Sequence, residues 1–231
     1  MSSNWKSHDE WGVKELIALL VIEFGIVVWL IKYFIQPQVA KFVHEDLYVG
    51  TFTGLLIAML LLVSLYIIAL RPKGLTWSEV GIRSFHKKEW KLITICTLFV
   101  MVGVILITVV VSMIGGTWEN SKTDAIQQNR TFFSICIAFI SAAIISPIYE
   151  EIFYRGFLFR WFRTRFGFFS GAIMSSLIFA VVHIPTYNVI PVAFVSGFIF
   201  AYAYEKTNSI WPSVLIHGLS NGIMLILTLV L

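Results

Sequence analysis

The run Ser146-Pro147-Ile148-Tyr149-Glu150-Glu151-Ile152-Phe153-Tyr154-Arg155-Gly156 sets two adjacent carboxylates and an arginine inside otherwise apolar sequence. It belongs to a segment that reads as one helix from about Thr131 to Arg165. At 1.5 Å rise per residue such a helix is about 52 Å long, against a hydrocarbon core of roughly 30 Å. Part of it must therefore protrude or tilt, and the tail Arg160-Trp161-Phe162-Arg163-Thr164-Arg165 suits water. Ionisable groups in a membrane segment are costly, so each is a functional candidate by default.

The surrounding chain agrees with a membrane setting. Its 231 residues are 58% hydrophobic and only 13% charged, and mean hydropathy is +0.85. A soluble domain carries about twice that share of charge. Apolar residues come in long runs rather than periodic stripes, the pattern of membrane-spanning helices. The runs lie at about 13–35, 48–70, 92–114, 131–165, 168–183, 192–204 and 210–231. The fold class is all-α: a polytopic transmembrane helical bundle of about seven spans, six to eight in range. Residues 1–129 supply the N-terminal helices and a basic link, and residues 130–231 a core that holds the polar motifs. The 71–91 link contains Pro72 and Gly74, then a piece with Trp77, Val80 and Ile82 expected at the membrane interface. Gly115 to Arg130 reads as a hydrophilic loop.

Charge placement orients the bundle, because cytoplasmic loops carry excess Lys and Arg. With the 71–91 link inside, the cytoplasmic set is Lys6, Lys14, Arg71, Lys73, Arg83, Lys87, Lys88, Lys91, Arg160, Arg163, Arg165 and Lys206. The other side holds Lys32, Lys41, Lys122 and Arg130. The expectation is a multi-pass protein of the cell membrane with its N-terminus in the cytoplasm. The polar opening, Ser2 to Trp11, has no small-residue cleavage site behind it, so the first apolar run reads as a retained helix rather than a signal peptide. The net charge of +4 is thus a topology signal. Nothing forms the basic face that nucleic-acid binding needs. Cys96 and Cys136 stand alone in apolar runs, without the spacing of a zinc site or disulfide framework.

Adjacent residues on a helix point about 100° apart, so Glu150 and Glu151 have different tasks. Glu151 and Arg155 stand at i, i+4 with the acid first, the favourable order for an ion pair. Glu150 has Tyr154 at that offset and is left to face a cavity, where a carboxylate can act as a general base. His183 ends an apolar run, with Phe179 one turn before it; alone, it is as readily a core histidine. His217 and Asn221 share a helix face at i, i+4 and need polar partners, from helix packing or from a site. Glu150 and His183 lie symmetrically about a Phe166-Gly167 turn. An antiparallel hairpin there brings them to one depth, each roughly 25 Å from the turn.

In order, Glu150-Glu151-x-x-x-Arg155, Phe179-x-x-x-His183 and His217-x-x-x-Asn221 resemble the three motifs of the CAAX-protease and bacteriocin-processing family of intramembrane endopeptidases. The resemblance covers roughly residues 130–231. It implies hydrolysis of a peptide bond in a membrane-associated peptide or protein, within the lipid bilayer. Glu150 and His183 would activate water. His217 and Asn221 would stabilise the oxyanion or complete the pocket, and Glu151 and Arg155 would support it. Two histidines and a glutamate, here His183, His217 and Glu150, can also make a Zn2+ site with an open position. Asn is a poor zinc ligand, and a glutamate mechanism without metal is the other course. Two rivals share these residues. One is a transporter that relays protons through Glu150, His183 and His217, although the chain has no repeated halves. The other is a bacteriocin-immunity or partner-binding protein on the same scaffold.

Overall fold

In a computed structural model, residues 5–117, 121–128 and 130–230 are described, with the side chains of 121 and 122 left out. The chain is helical and, among the described residues, has no strand. The helices are α1 (Val13–Val39), α2 (Asp46–Lys73), α3 (Lys87–Met113), α4 (Ser121–Gln128), α5 (132–166), α6 (168–181), α7 (Tyr187–Thr207) and α8 (Ile210–Val230). The winding widens to π-type hydrogen bonding over Ile22–Ile35, Tyr66–Leu70, Ile140–Ile145 and Ile152–Phe159.

Helices α5 and α6 form one apolar stretch of 50 residues, and it is bent back at Gly167. That glycine has φ 81° and ψ 175°, a backbone region essentially closed to residues with a Cβ. The six stretches that, among the described residues, are long and apolar enough to cross a membrane therefore give about seven passes, since the longest supplies two arms. Aromatic contacts set the hairpin register. Tyr154 and Phe179, symmetric about the turn, meet edge to face at 5.0 Å. Thr131 starts α5 by accepting a bond from the Ser134 amide at 3.2 Å, which satisfies one of the amides left open at a helix start.

The second half of α5 is the hub. Residues 151–162 are buried on every face, with Phe153, Phe157, Leu158 and Phe159 fully enclosed. Around it lie α6 and α7, locked by Phe168 against Phe198 and Tyr202, and α8, which packs on α3, α5 and α7. Helix α3 keeps Leu98, Phe99, Leu106 and Val110 exposed. A stripe of that kind is untenable in water and ordinary against lipid chains.

One expectation is revised. The 115–130 stretch contains the helix α4, with Ala125 buried; eight residues with only Ala125 and Ile126 apolar carry too little hydrophobic pattern to announce it. Residues 118–120 and 129 of that stretch, the side chain of Lys122, and residues 1–4 and 231 lie outside the described residues. The 75–86 piece is a string of turns fastened to the bundle. Val80 is buried over Gly156, where a Cβ would stand 2.4 Å from the Val80 carbonyl oxygen. The Ile210 amide donates to Gly81 O at 2.8 Å, and Ser209 Oγ donates to Arg83 O at 2.6 Å.

The basic residues of the α5 tail find acids at this same end. Arg160 pairs with Glu79 at 2.9 Å, Arg163 with Glu205 at 3.0 Å and Arg165 with Asp9 at 2.7 Å. The N-terminal segment closes over them: Trp11 donates to Ala69 O at 2.9 Å, and Trp5 packs on Tyr204 at 5.0 Å. Segments 5–11, 69–83, 160–165 and 204–210 thus share one end of the molecule. The opposite end gathers 117, 127, 130, 188 and 228–229 through bonds from Gln127, Arg130 and Asn188.

Candidate functional site

Glu151 and Arg155 form the predicted i, i+4 pair at 2.9 Å, with both side chains wholly buried. An ion pair removed from water stabilises little by itself, and breaking it leaves a costly lone charge. Aromatic rings complete the guanidinium's surroundings: Arg155 Cζ lies 4.3 Å from the Phe179 centroid and 5.2 Å from that of Phe200. Ring faces attract cations most strongly where water is absent.

Glu151 has a second task that spacing does not reveal. The same Oε1 that receives Arg155 lies 2.9 Å from His217 Nδ1 on α8. A carboxylate only accepts, so Nδ1 carries the proton and Nε2 is turned to other partners. The ring is stacked on Phe200, centroids 4.7 Å apart and planes 20° apart, and meets the edge of Phe179 at 5.9 Å. Its Nε2 is 3.9 Å from Glu150 Oε2. Glu150 in turn receives Ser146 Oγ and, at 3.2 Å, Tyr149 OH, both on Oε1. One oxygen of Glu150 is thus held by its own helix and the other faces His217. Three side chains, Glu151, His217 and Glu150, make a bridge from α5 to α8 and back.

His183 closes α6, where its Nδ1 donates to Phe179 O at 2.7 Å. Its ring abuts Phe179 at 4.9 Å, the same phenyl that touches Arg155, Tyr154 and His217. The hairpin thus brings His183 to the aromatic wall of the site. Asn221 faces the earlier part of α5, with Nδ2 donating to Ala142 O at 2.9 Å. One of its two amide hydrogens ties α8 to α5, a turn beyond His217. That approach is very close: a Cβ on Gly218 would stand 2.4 Å from Ala143 O. Only a glycine lets the two backbones lie so near.

Among the described residues no three of His, Cys, Asp and Glu form a group able to hold a metal ion. Glu150 and His217 approach each other, but the candidate set Glu150, His183 and His217 does not converge as ligands do in a zinc centre. No step below is routed through a metal ion.

Helix α1 adds groups absent from the sequence reading. Glu23 is 1% exposed, and its Oε1 accepts from Tyr154 OH at 2.9 Å. Lys32, counted above among loop charges, lies within α1 and donates to Val182 O, next to His183. A lone acid within an apolar run was the available signal for Glu23.

Residues 132–223 match the model of the family described as Type II CAAX prenyl endopeptidase Rce1-like. The chain is 30% identical over 118 residues to YdiL of Bacillus subtilis (strain 168), named as a membrane peptidase; the match covers 50% of this chain and 46% of YdiL. It is 26% identical over 220 residues to the membrane-embedded CAAX protease MroQ of Staphylococcus aureus (strain USA300), covering 88% of this chain and 87% of MroQ. The chain thus spans about half the length of the first relative and most of the second. No solved structure matches it.

Proposed function

We propose that this chain, whose residues 132–223 match the Rce1-like CAAX endopeptidase family, is a membrane endopeptidase whose general base is Glu150. The observation that carries the reading is the Glu151–His217–Glu150 bridge. An acid orients an imidazole through Nδ1, and the other nitrogen looks across 3.9 Å at a second carboxylate. A water within hydrogen-bond reach of both atoms, at about 2.8 Å from each, spans that gap without any shift of the side chains.

In this mechanism Glu150 Oε2 takes a proton from the water, helped by His183 at the aromatic wall, and the oxygen attacks the scissile carbonyl carbon. The carbonyl oxygen becomes an oxyanion. The second amide hydrogen of Asn221 donates to it, while His217, whose Nδ1–H is held by Glu151, accepts from the water at Nε2 and completes the pocket. Preorganised donors of this kind are worth most in a site shielded from water. The proton on Glu150 then passes to the leaving amine as the C–N bond breaks. Arg155 balances the charge of Glu151. The substrate class is a membrane-associated peptide or protein, entering from the bilayer. The YdiL and MroQ names support a peptidase of this kind.

The test is cleavage of a membrane peptide by purified protein in lipid, with Glu150→Gln and His183→Ala beside it. Cleavage by the wild type and loss in both variants is the expected result; equal cleavage by all three would sink the assignment. Activity that survives exhaustive chelation is expected as well, and its loss, restored by added Zn2+, would overturn the metal-free mechanism.

A further inference from the structure

Helix α1 lies outside the family region at 132–223, yet it is bonded to both arms of the hairpin that carries Glu150 and His183. Near its middle, buried Glu23 receives Tyr154 OH at 2.9 Å; Tyr154 stands one turn past Glu150 on α5. Nine residues later, Lys32 donates to Val182 O, the carbonyl adjoining His183 on the other arm. The remaining oxygen of Glu23 has no hydrogen-bond partner among the described residues. A carboxylate in such a place is costly, and packing alone would be served as well by leucine.

We propose that α1 is a clasp on the catalytic hairpin, and that Glu23 and Lys32 are positioning residues that set the separation of Glu150 from His183. The inference rests on the endopeptidase reading. Glu23 acts through Tyr154, and Lys32 acts through the backbone at Val182. Neither touches substrate. The clasp holds the two arms against sliding along one another, a displacement that the turn at Gly167 would otherwise permit. A misplacement of about 1 Å can cost on the order of a hundredfold in rate, so the effect belongs in kcat and not in KM.

The experiment is a double-mutant cycle on Glu23→Leu and Tyr154→Phe, with Glu23→Gln and Lys32→Met alongside. Each is assayed for kcat and KM on the cleavable membrane peptide, and for melting temperature in the same lipid. Glu23→Leu, Tyr154→Phe and the double variant are expected to lose the same factor in kcat, about tenfold or more, with KM within about twofold. Glu23→Gln keeps an oxygen that accepts from Tyr154 and should return kcat to within about threefold of wild type. Lys32→Met should also lower kcat at unchanged KM. Wild-type kcat in Glu23→Leu overturns the proposal. So does recovery of kcat in the double variant, because that result assigns the single losses to an unpaired buried group rather than to a needed bond. Full activity in Glu150→Gln would instead refute the endopeptidase mechanism on which the clasp depends, so the two failures are told apart.

Discussion

Glu150 and Glu151 are neighbours with opposite surroundings. Glu151 is shut off from water and shared between Arg155 and His217, whereas Glu150 keeps one oxygen facing His217 across a gap. The two substitutions should therefore fail differently. Glu150→Gln is expected to remove at least about a thousandfold in kcat, consistent with the loss of a general base, with its melting temperature close to wild type. Arg155→Met leaves Glu151 buried without its cationic partner, only the His217 bond remaining, and breaking such a pair costs about 3–5 kcal/mol. A denaturation midpoint in lipid should fall accordingly, and an unchanged midpoint would show that Glu151 does not depend on Arg155.

At the level of elements, the site depends on how closely α8 approaches α5. Gly218 sits one residue from His217, and its missing Cβ is what allows contact with the Ala143 carbonyl. Gly218→Ala must push the helices apart or distort them. Overpacking of this kind costs about 1–3 kcal/mol, and the shift would carry His217 and Asn221 away from Glu150 and Ala142. A measured kcat loss of tenfold or more is expected, larger than the loss in a Gly222→Ala control, where a Cβ would meet side-chain atoms, the Phe139 ring edge at 3.1 Å and Ala143 Cβ at 3.5 Å, and no backbone. Gly167→Ala is expected to destabilise by about 1–3 kcal/mol, because φ 81° with ψ 175° is strained for alanine; a thermal melt in lipid would measure it.

For the whole molecule, the ends of the bundle matter more than its charge. Segments 5–11, 69–83, 160–165 and 204–210 are tied together by the Glu79, Glu205 and Asp9 ion pairs. Cysteines introduced at exposed Ser84 and Lys88 should be labelled from one side of the membrane. A cysteine at exposed Phe42, between α1 and α2, should react from the other. The first side is expected to be the cytoplasmic one, because cytoplasmic loops carry excess Lys and Arg. Labelling of Ser84 and Phe42 positions from the same side would break the seven-pass topology.

From the sequence alone came the membrane class, the hairpin and the ion pair, and each rests on a local or periodic property. Long apolar runs mark spans, a glycine between two apolar arms marks a turn, and an i, i+4 offset is a helix neighbour. Only the tertiary structure decided that Glu151 also orients His217, that Asn221 ties α8 to the Ala142 carbonyl, and that α1 reaches the hairpin through Glu23 and Lys32. Those contacts join residues far apart in the chain, between about 66 and 150 positions. Helix packing makes them, at angles and depths that no spacing along one strand of sequence encodes.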